Sequence, residues 1–253
     1  MTPDRTRMTV DGVRTWWLLL RWQVLRTRRL LVTLILVQVA LGIGMIYGFG
    51  FLVPHVTPEV AVFFATGAPT LGMLIIGLTV VPQETAMARV NGRFSYVAAL
   101  PVPRLAPMCA DVSYWLLVQL PGWVATLLLA VVHFHLHLRF DALVVPAVVL
   151  VSLSAAAVGY GVAVMFPPGA TQQVSSFMSI ALLLFSPINF PLDRLPSWLQ
   201  DVHRALPVTY MADLIRGGLT GRYDVNPALA FAVVTAYCAL GLVVAGRAAR
   251  RRS

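Results

Sequence analysis

Six apolar segments, most of them close to 20 residues long, constrain the fold of this chain more than any other feature of its sequence. A helix of about 20 apolar residues is long enough to cross the hydrocarbon core of a bilayer. Because 58% of the 253 residues are hydrophobic, the chain also carries more apolar surface than a soluble domain of this size buries. We therefore predict an all-α integral membrane protein with one transmembrane domain over residues 1–253. The six predicted spans are Leu30–Val53, Val60–Val81, Cys109–Val132, Leu143–Phe166, Val174–Ile188 and Ala228–Ala245.

Arginine is the only source of positive charge in the chain, which has 19 arginines, no lysine and a formal net charge of +9. Lys and Arg gather in the cytosolic segments of membrane proteins. An arrangement with both termini inside places 14 arginines in cytosolic segments and five in external ones. A lysine-free sequence is consistent with a GC-rich bacterial genome, so we predict a multi-pass protein of the bacterial inner membrane with both termini in the cytoplasm. The basic charge predicts contact with anionic membrane lipid, and no nucleic acid partner is predicted.

Several functions are excluded by residues that the sequence lacks. A nucleotide-binding P-loop needs a lysine, as does Schiff-base chemistry, and the chain has none. Its spans hold no acidic residue placed to relay protons, because Glu84 and Asp111 lie at the cytosolic edge and Asp141 near the outer one. The sequence has no HExxH or GxSxG motif either. We therefore predict that the chain is not an enzyme and that transport needs an energy source on another chain. A lipid-modifying membrane enzyme and an ATP-independent channel or scaffold are the alternatives.

The N-terminal stretch, residues 1–29, is basic and contains three tryptophans, Trp16, Trp17 and Trp22. Tryptophan and arginine together favour the headgroup layer of a membrane. This pattern predicts an amphipathic interfacial helix from Val13 to Arg29 that leads into the first span. At the other end of the chain, residues 247–253 form a basic tail that is predicted to be cytosolic.

The stretch 82–107 is the one substantial polar passage between the apolar segments in the first two-thirds of the chain. As a helix from Thr85 to Leu100, it places Arg89, Arg93 and Tyr96 on one face. Both an amphipathic helix on the cytosolic membrane surface and a solvated connector fit this pattern. Its other face is apolar and comprises Met87, Val90, Phe94 and Val97.

The predicted external segment, residues 190–227, is the longest connection in the second half of the chain. Pro196 and Pro207 stand where proline is tolerated in the first turn of a helix, and glycines follow the second candidate helix. We therefore predict two short external helices before the last span, at Pro196–Leu206 and Val208–Leu219. The first has apolar residues available to enter the outer leaflet.

Two groups of residues match motifs of a known family. They are Glu84, Gly92, Leu100, Pro101 and Arg104 in the loop, and Ser186-Pro187, Phe190-Pro191, Leu195-Pro196, Trp198-Leu199, Pro207, Thr209-Tyr210, Leu214, Arg216, Leu219 and Gly221 in and just before the external segment. Together they resemble motifs of the permease subunits of type-two ATP-binding-cassette (ABC) exporters, which export drugs, polysaccharides and lipids. The resemblance covers nearly the whole chain, and its external motif is the more specific of the two. Pro187 departs from the family pattern, which often has a glycine after the preceding serine.

The resemblance implies how such a chain is powered. In these permeases the first cytosolic loop forms a coupling helix that docks in a groove of an ABC ATPase subunit, here expected in two copies that bind ATP and Mg. The chain itself is expected to bind no cofactor and to pair with a second permease copy or a paralogue. The residues implied at or near the ATPase are Glu84, Arg89, Gly92, Arg93 and Arg104. Those implied at an external gate are Pro187, Pro191, Pro196, Trp198, Tyr210 and Arg216.

The predicted orientation and the resemblance together assign a contact to each face of the loop helix. Met87, Val90, Phe94 and Val97 are predicted to pack against the spans of the protein itself. Arg89 and Arg93 are then left to contact the ATPase.

The resemblance also places the substrate between the first, second and fifth spans of two protomers. Aromatic and flexible side chains on the second and fifth spans predict a hydrophobic or amphiphilic substrate, either a drug or antibiotic, as in multidrug efflux and antibiotic resistance, or a lipid-like compound. Each of these side chains also fits a role in packing or in contact with lipid. The candidates are Phe63, Phe64, Met73, Gln172, Phe177, Met178 and Phe185.

Three histidines, His133, His135 and His137, lie at the predicted outer end of the third span. Their spacing fits a transition-metal site, but interfacial polar residues are the commoner explanation. Cys109 and Cys238 fall in or beside spans near the cytosolic side, so a structural disulfide is not predicted.

Overall fold

The computed structural model describes residues 12–52, 57–93, 96, 102–103, 105–188, 192 and 195–250. Within these ranges the regular structure is helical and no strand occurs, so the predicted all-α class is confirmed. The elements are α1 Gly12–Arg26, α2 Arg28–Leu52, α3 Pro58–Ile75, a π-helical segment Ile76–Val80, α4 Val81–Val90, α5 Leu105–Phe134, α6 Val144–Met165, α7 Pro168–Phe185, α8 Ser197–Ala205, α9 Pro207–Thr220 and α10 Pro227–Arg250.

Among the described residues, five helical stretches are long and apolar enough to cross a membrane, at the places where five of the six spans are predicted. The other predicted span, Val174–Ile188, overlaps α7, which has 18 residues and carries Gln172 and Gln173 in its first half. A crossing by α7, and with it the six-span layout, stays a prediction. The five stretches are Arg28–Gly48, Pro58–Val90, Cys109–Phe134, Val144–Met165 and Pro227–Val244.

The second apolar helix is longer than its predicted span, Val60–Val81, because it runs from Pro58 to Val90. It begins at a conventional start, where the Thr57 side chain accepts a hydrogen bond from the Val60 N–H. It then continues through the π-helical segment into α4 and ends at Val90. The prediction of a separate surface helix that begins at Thr85 is therefore wrong, because Thr85 lies buried inside this continuous helix.

The helix α6 lies at the centre of the bundle and packs against α3, the π-helical segment, α4, α5, α7, α9 and α10. Its buried face is rich in Ala, Ser and Gly, and small residues let membrane helices approach closely. A Cβ atom placed on Gly159 would lie 2.1 Å from the carbonyl oxygen of Gly77. On the opposite side, a Cβ atom on Gly241 of α10 would lie 2.6 Å from the backbone of Ala157. These contacts fix α6 between its neighbours.

The two short helices predicted before the last span are present as α8 and α9. The second of them, α9, is buried along most of its length against α3, α6 and α10. It ends at Gly221, whose φ of 71° is a conformation that favours glycine. The first, α8, is amphipathic and leaves Trp198, Val202 and Leu206 exposed. This apolar face is the one that the sequence predicts to meet the outer leaflet.

Candidate functional site

A group of polar side chains joins three elements at the end of the bundle where α4 ends and α5 begins. Gln23 of α1 donates a hydrogen bond from Nε2 to Oδ1 of Asp111, on α5, over 2.6 Å. Arg93, which follows α4, donates from Nη2 to the same oxygen over 3.3 Å and forms a salt bridge. The carboxylate of Asp111 is therefore shared by two donors on separate elements. We call Trp22, Gln23, Arg93 and Asp111 the Asp111 cluster.

Trp22 completes this cluster from α1. Its ring lies 5.8 Å from the guanidinium carbon of Arg93 and 5.3 Å from that of Arg26, within the range of cation–π contact. One helical turn and a half earlier, Trp16 donates from Nε1 to the hydroxyl of Ser113 over 3.1 Å. The two ends of α1 are thus both bonded to the first turns of α5.

Arg89 connects the end of α4 to the end of α6. Its Nη1 group donates hydrogen bonds to the carbonyl oxygens of Ala163 and, over 3.3 Å, of Phe166. The carbonyl groups at the C-terminal end of a helix carry partial negative charge and lack partners within the helix. A guanidinium group is a suitable partner for them, so Arg89 holds α4 against α6.

These contacts correct the predicted faces of the loop helix. Met87 and Val90, predicted to pack against the protein, are 57% and 63% exposed. Arg89 and Arg93, predicted to be left for the ATPase, also contact the protein's own carbonyl and carboxylate oxygens. The reason is that α4 continues the second apolar helix, and its inward face meets the polar end of α6 and Asp111. Phe94 and Val97 lie outside the described residues.

The other residues predicted near the ATPase lie on or beyond α4. Glu84 is half-buried in the first turn of α4. Gly92 is exposed in the turn that follows α4 and has a φ of 68°, which favours glycine. Arg104 lies outside the described residues. The structure therefore brings Glu84, Arg89, Gly92 and Arg93 to one end of the bundle.

Arg216 belongs to a second group of polar contacts, which involves the N-terminal half of α3 and so lies away from the Asp111 cluster. Its guanidinium carbon lies 3.7 Å from the centre of the Phe63 ring. Its Nε donates to Oγ1 of Thr66 over 3.3 Å, and its Nη2 donates to the carbonyl oxygen of Ile188 over 3.0 Å. Burial lowers the pKa of Arg216 to about 10, so the group stays charged at neutral pH. Arg216 therefore ties α9 to α3 and to the turn after α7.

The remaining predicted gate residues surround α8 and α9. Pro187 is buried after α7, and Pro196 is exposed directly before α8. Trp198 is 66% exposed. The Tyr210 hydroxyl of α9 donates to the carbonyl oxygen of Arg204, at the end of α8, over 3.0 Å. Of this predicted set, Pro191 is the residue that lies outside the described part of the chain.

Two carboxylates, Asp213 on α9 and Asp141 before α6, hold the loop that follows α9. Asp213 accepts the backbone N–H groups of Asp224 and Val225 over 2.9 and 3.1 Å. Burial nevertheless raises the pKa of Asp213 above its usual value. Asp141 accepts the hydroxyl of Tyr223 over 3.1 Å, and burial together with this bond raises the pKa of Tyr223 to about 12. Both carboxylates therefore hold the loop that follows α9 in place.

The predicted substrate-path residues do not form one lining within the chain. Phe64 and Met73 are buried in the core, while Phe63 lies beneath Arg216 and Met178 packs against the core. The exposed members lie on α7 and comprise Gln172, Phe177 and Phe185. Their exposed face points away from α4 and the π-helical segment, against which α7 packs.

The histidines are separated by the end of α5. The His133 ring packs at a tilt against the Tyr47 ring, with a centroid distance of 4.4 Å. His135 lies in the turn that follows α5. No group of three metal-ligating side chains occurs among the described residues. Cys109 and Cys238 are both free thiols.

Sequence reasoning placed Asp111 at the membrane edge but missed its partners. A signal was present, because an acidic residue at the start of an apolar span needs a cationic partner, and Arg93 stands 18 residues before it. The part played by Gln23 has no such signal, because it depends on how α1 folds back onto α5.

A comparison with protein families matches residues 14–220 to the family described as ABC-2 type transporter. The match begins in α1 and ends with α9, so it includes both the Asp111 cluster and Arg216. No curated protein gives a significant match to the chain.

Proposed function

Because the chain belongs to the ABC-2 type transporter family, the permease subunits of type-2 ABC transporters, we propose that it is the permease of an ATP-driven exporter. The observation that carries this proposal is the extent of the family match, which spans 14–220 and thus most of the helical bundle. The five apolar helices agree with a multi-pass membrane protein. The energy is supplied by a separate ABC ATPase, expected in two copies that bind ATP and Mg.

The end of the bundle that holds α4 is proposed to face the cytosol and to receive the ATPase. The distribution of arginines along the sequence supports this orientation. In this proposal Glu84, Gly92 and Arg104 lie at the ATPase contact. Arg89 and Arg93 lie beside it and hold the segment against α6 and α5 through the contacts described above.

The opposite end is proposed to be external, with α8 and α9 as the gate. Arg216 supports this role because it connects the gate to α3, and Tyr210 supports it because it joins the two gate helices to each other. Opening the gate would require these hydrogen bonds to break or to move together.

The substrate is proposed to be hydrophobic or amphiphilic, a drug, antibiotic or lipid-like compound, and to move outward. The exposed aromatic face of α7 supports a lining that a second permease copy completes. Phe177 is 72% exposed, and Phe185 shares that helix. A side chain of this size, exposed among the described residues, fits contact with a substrate or with a second copy.

The test is purification of the tagged chain from its native membranes, with identification of the proteins that accompany it. We expect an ABC ATPase, and we expect the ATP turnover of the complex in lipid nanodiscs to differ from that of the ATPase alone. Disabling the P-loop lysine of the ATPase is the control and should abolish turnover. If the purified chain binds no ATPase and instead modifies lipid by itself, the proposal is wrong.

A further inference from the structure

We propose that Asp111 is a positioning residue that joins two elements to α5: the helix α1 and residues 91–93, which we call the connection after α4. A displacement of this connection would then reach the α5 span. This inference rests on the proposed function, because the displacement in question is the one imposed by the ATPase.

The first step of the argument is the attachment of α1. This helix packs extensively against α5 but makes few contacts with α2, although only Thr27 separates α1 from α2. Hydrogen bonds from α1 to α5 run from Trp16 to Ser113 and from Gln23 to Asp111. The position of α1 is therefore set by α5 and not by the helix that follows it in sequence.

The second step is the attachment of the connection after α4. Arg93 reaches α5 through its salt bridge with Asp111 and lies beside the Trp22 ring. On the other side of this connection, Arg89 attaches α4 to α6. The connection is thus bonded to α5 and, through Trp22, to α1 as well.

The third step is the shared acceptor. Gln23 and Arg93 both donate to Oδ1 of Asp111, so one oxygen atom sets the position of both donors. Hydrogen bonds to a charged acceptor are stronger than neutral ones. The side chains of Arg93 and Asp111 are 24% and 30% exposed, so water screens the pair less than it screens a pair on the open surface. Networks of this kind carry coupling between packed elements.

The test uses the complex of the full chain with its ATPase, reconstituted in lipid vesicles. Asp111→Asn keeps the size of the side chain and an acceptor but removes the charge. We expect the variant complex to assemble and to hydrolyse ATP within about twofold of the original chain, while ATP-driven uptake of a fluorescent amphiphilic dye falls about tenfold. Arg93→Gln removes the same pair from the other side and should have the same effect. The double variant should be no worse than either single one, because both remove one interaction.

The matched control is Asp201→Asn, which removes the exposed pair that Arg204 forms with Asp201 on α8. It should leave uptake unchanged. If the original chain binds no ATPase, the proposed function itself is wrong. If the original complex is active and Asp111→Asn leaves dye uptake unchanged, the inference is wrong but the proposed function stands. The inference is also wrong if both single variants lose assembly, ATP turnover and dye uptake to the same extent. If Asp111→Asn does not accumulate in the membrane, Arg93→Gln decides between these outcomes.

Discussion

His203 is a buried titratable side chain at the end of α8, where hydrogen bonds from α9 and α10 hold this end of the helix in place. Thr209 donates to its backbone carbonyl over 2.9 Å, and Tyr237 of α10 donates to the carbonyl of Ala205 over 2.7 Å. The side chain of His203 is itself buried. Protonation of this ring would place a charge where water cannot solvate it.

The first prediction concerns the effect of pH on this end of α8. Burial lowers the pKa of His203 below its usual value. Because the folded pKa is lower than the unfolded one, the stability contributed by the neutral ring is present above the unfolded pKa and is lost as the pH falls through the folded one. The thermal unfolding midpoint in detergent should therefore decrease between about pH 7 and about pH 5. His203→Gln should remove part of this decrease, whereas His137→Gln, at an exposed position, should not. Identical profiles for His203→Gln and the original chain would contradict this account.

The second prediction concerns the close approach of α6 to the π-helical segment. A methyl group on Gly159 would meet the Gly77 carbonyl oxygen at 2.1 Å, so the helices must separate. Gly159→Ala should reduce stability by about 1–3 kcal/mol, measured from the thermal unfolding midpoint. The control is Gly44→Ala on α2, where no heavy atom lies within 4 Å and where alanine favours the helix by about 0.5–1 kcal/mol. An equal response of the two variants would show that the close packing is not important.

At the scale of elements, the π-helical segment is one of the parts of the second apolar helix that contact α7, beside α4 and α3. Thr79 hydrogen-bonds to the hydroxyl of Ser179 and donates to the carbonyl of Ser175 over 3.4 Å. Segments of π-helix inside α-helices are frequent at functional sites. Here the segment lies between α3, which Arg216 contacts, and α4, which carries Arg89 in its last turn and is followed by the turn with Gly92.

The third prediction tests this contact between elements. Thr79→Val removes the hydroxyl and should reduce stability by about 0.6 kcal/mol, which is typical of a hydrogen bond between membrane helices. A double-mutant cycle with Ser179→Ala should recover a coupling of similar size from the unfolding midpoints. Thr33→Val is the control, because the hydrogen bond that the described residues give its hydroxyl is to the Arg29 carbonyl of its own helix. Additive losses in the cycle would mean that the two side chains do not interact.

Helices were predictable from the sequence to the extent that they depend on local properties. Five spans and both helices before α10 are found near their predicted positions, because hydropathy, proline and glycine act over a few residues. The faces of α4 were not predictable, because the partners of Arg89 lie at the end of α6, more than 70 residues away. The spacing of Met87 and Val90 predicts that they share one face of the helix, but that face is exposed in the structure and does not pack against the spans.

On the scale of the whole molecule, the number of crossings decides where the termini lie. If α7 crosses the membrane, the chain makes six crossings and both termini are cytosolic. If α7 does not cross, residues 166–167 and 221–226 lie on the same side and the termini lie on opposite sides.

The fourth prediction distinguishes these two layouts. Fusions of alkaline phosphatase, which is active only outside the cytosol, are made after Pro167 and after Pro227, on either side of α7 and the two short helices. We expect no activity after Pro167 and full activity after Pro227. A fusion after Asn91 is the cytosolic control and should be inactive. Equal activity of the first two fusions would rule out a crossing by α7.

The central claim, that the chain is a permease driven by a separate ATPase, is tested most directly by transport in vesicles. Inside-out vesicles that contain the chain and its ATPase are given a fluorescent amphiphilic dye with and without ATP. The account predicts uptake that requires ATP, requires both proteins, and is lost when the P-loop lysine of the ATPase is replaced. Uptake at the same rate without ATP, or in liposomes that contain the chain alone, would contradict it and indicate a channel.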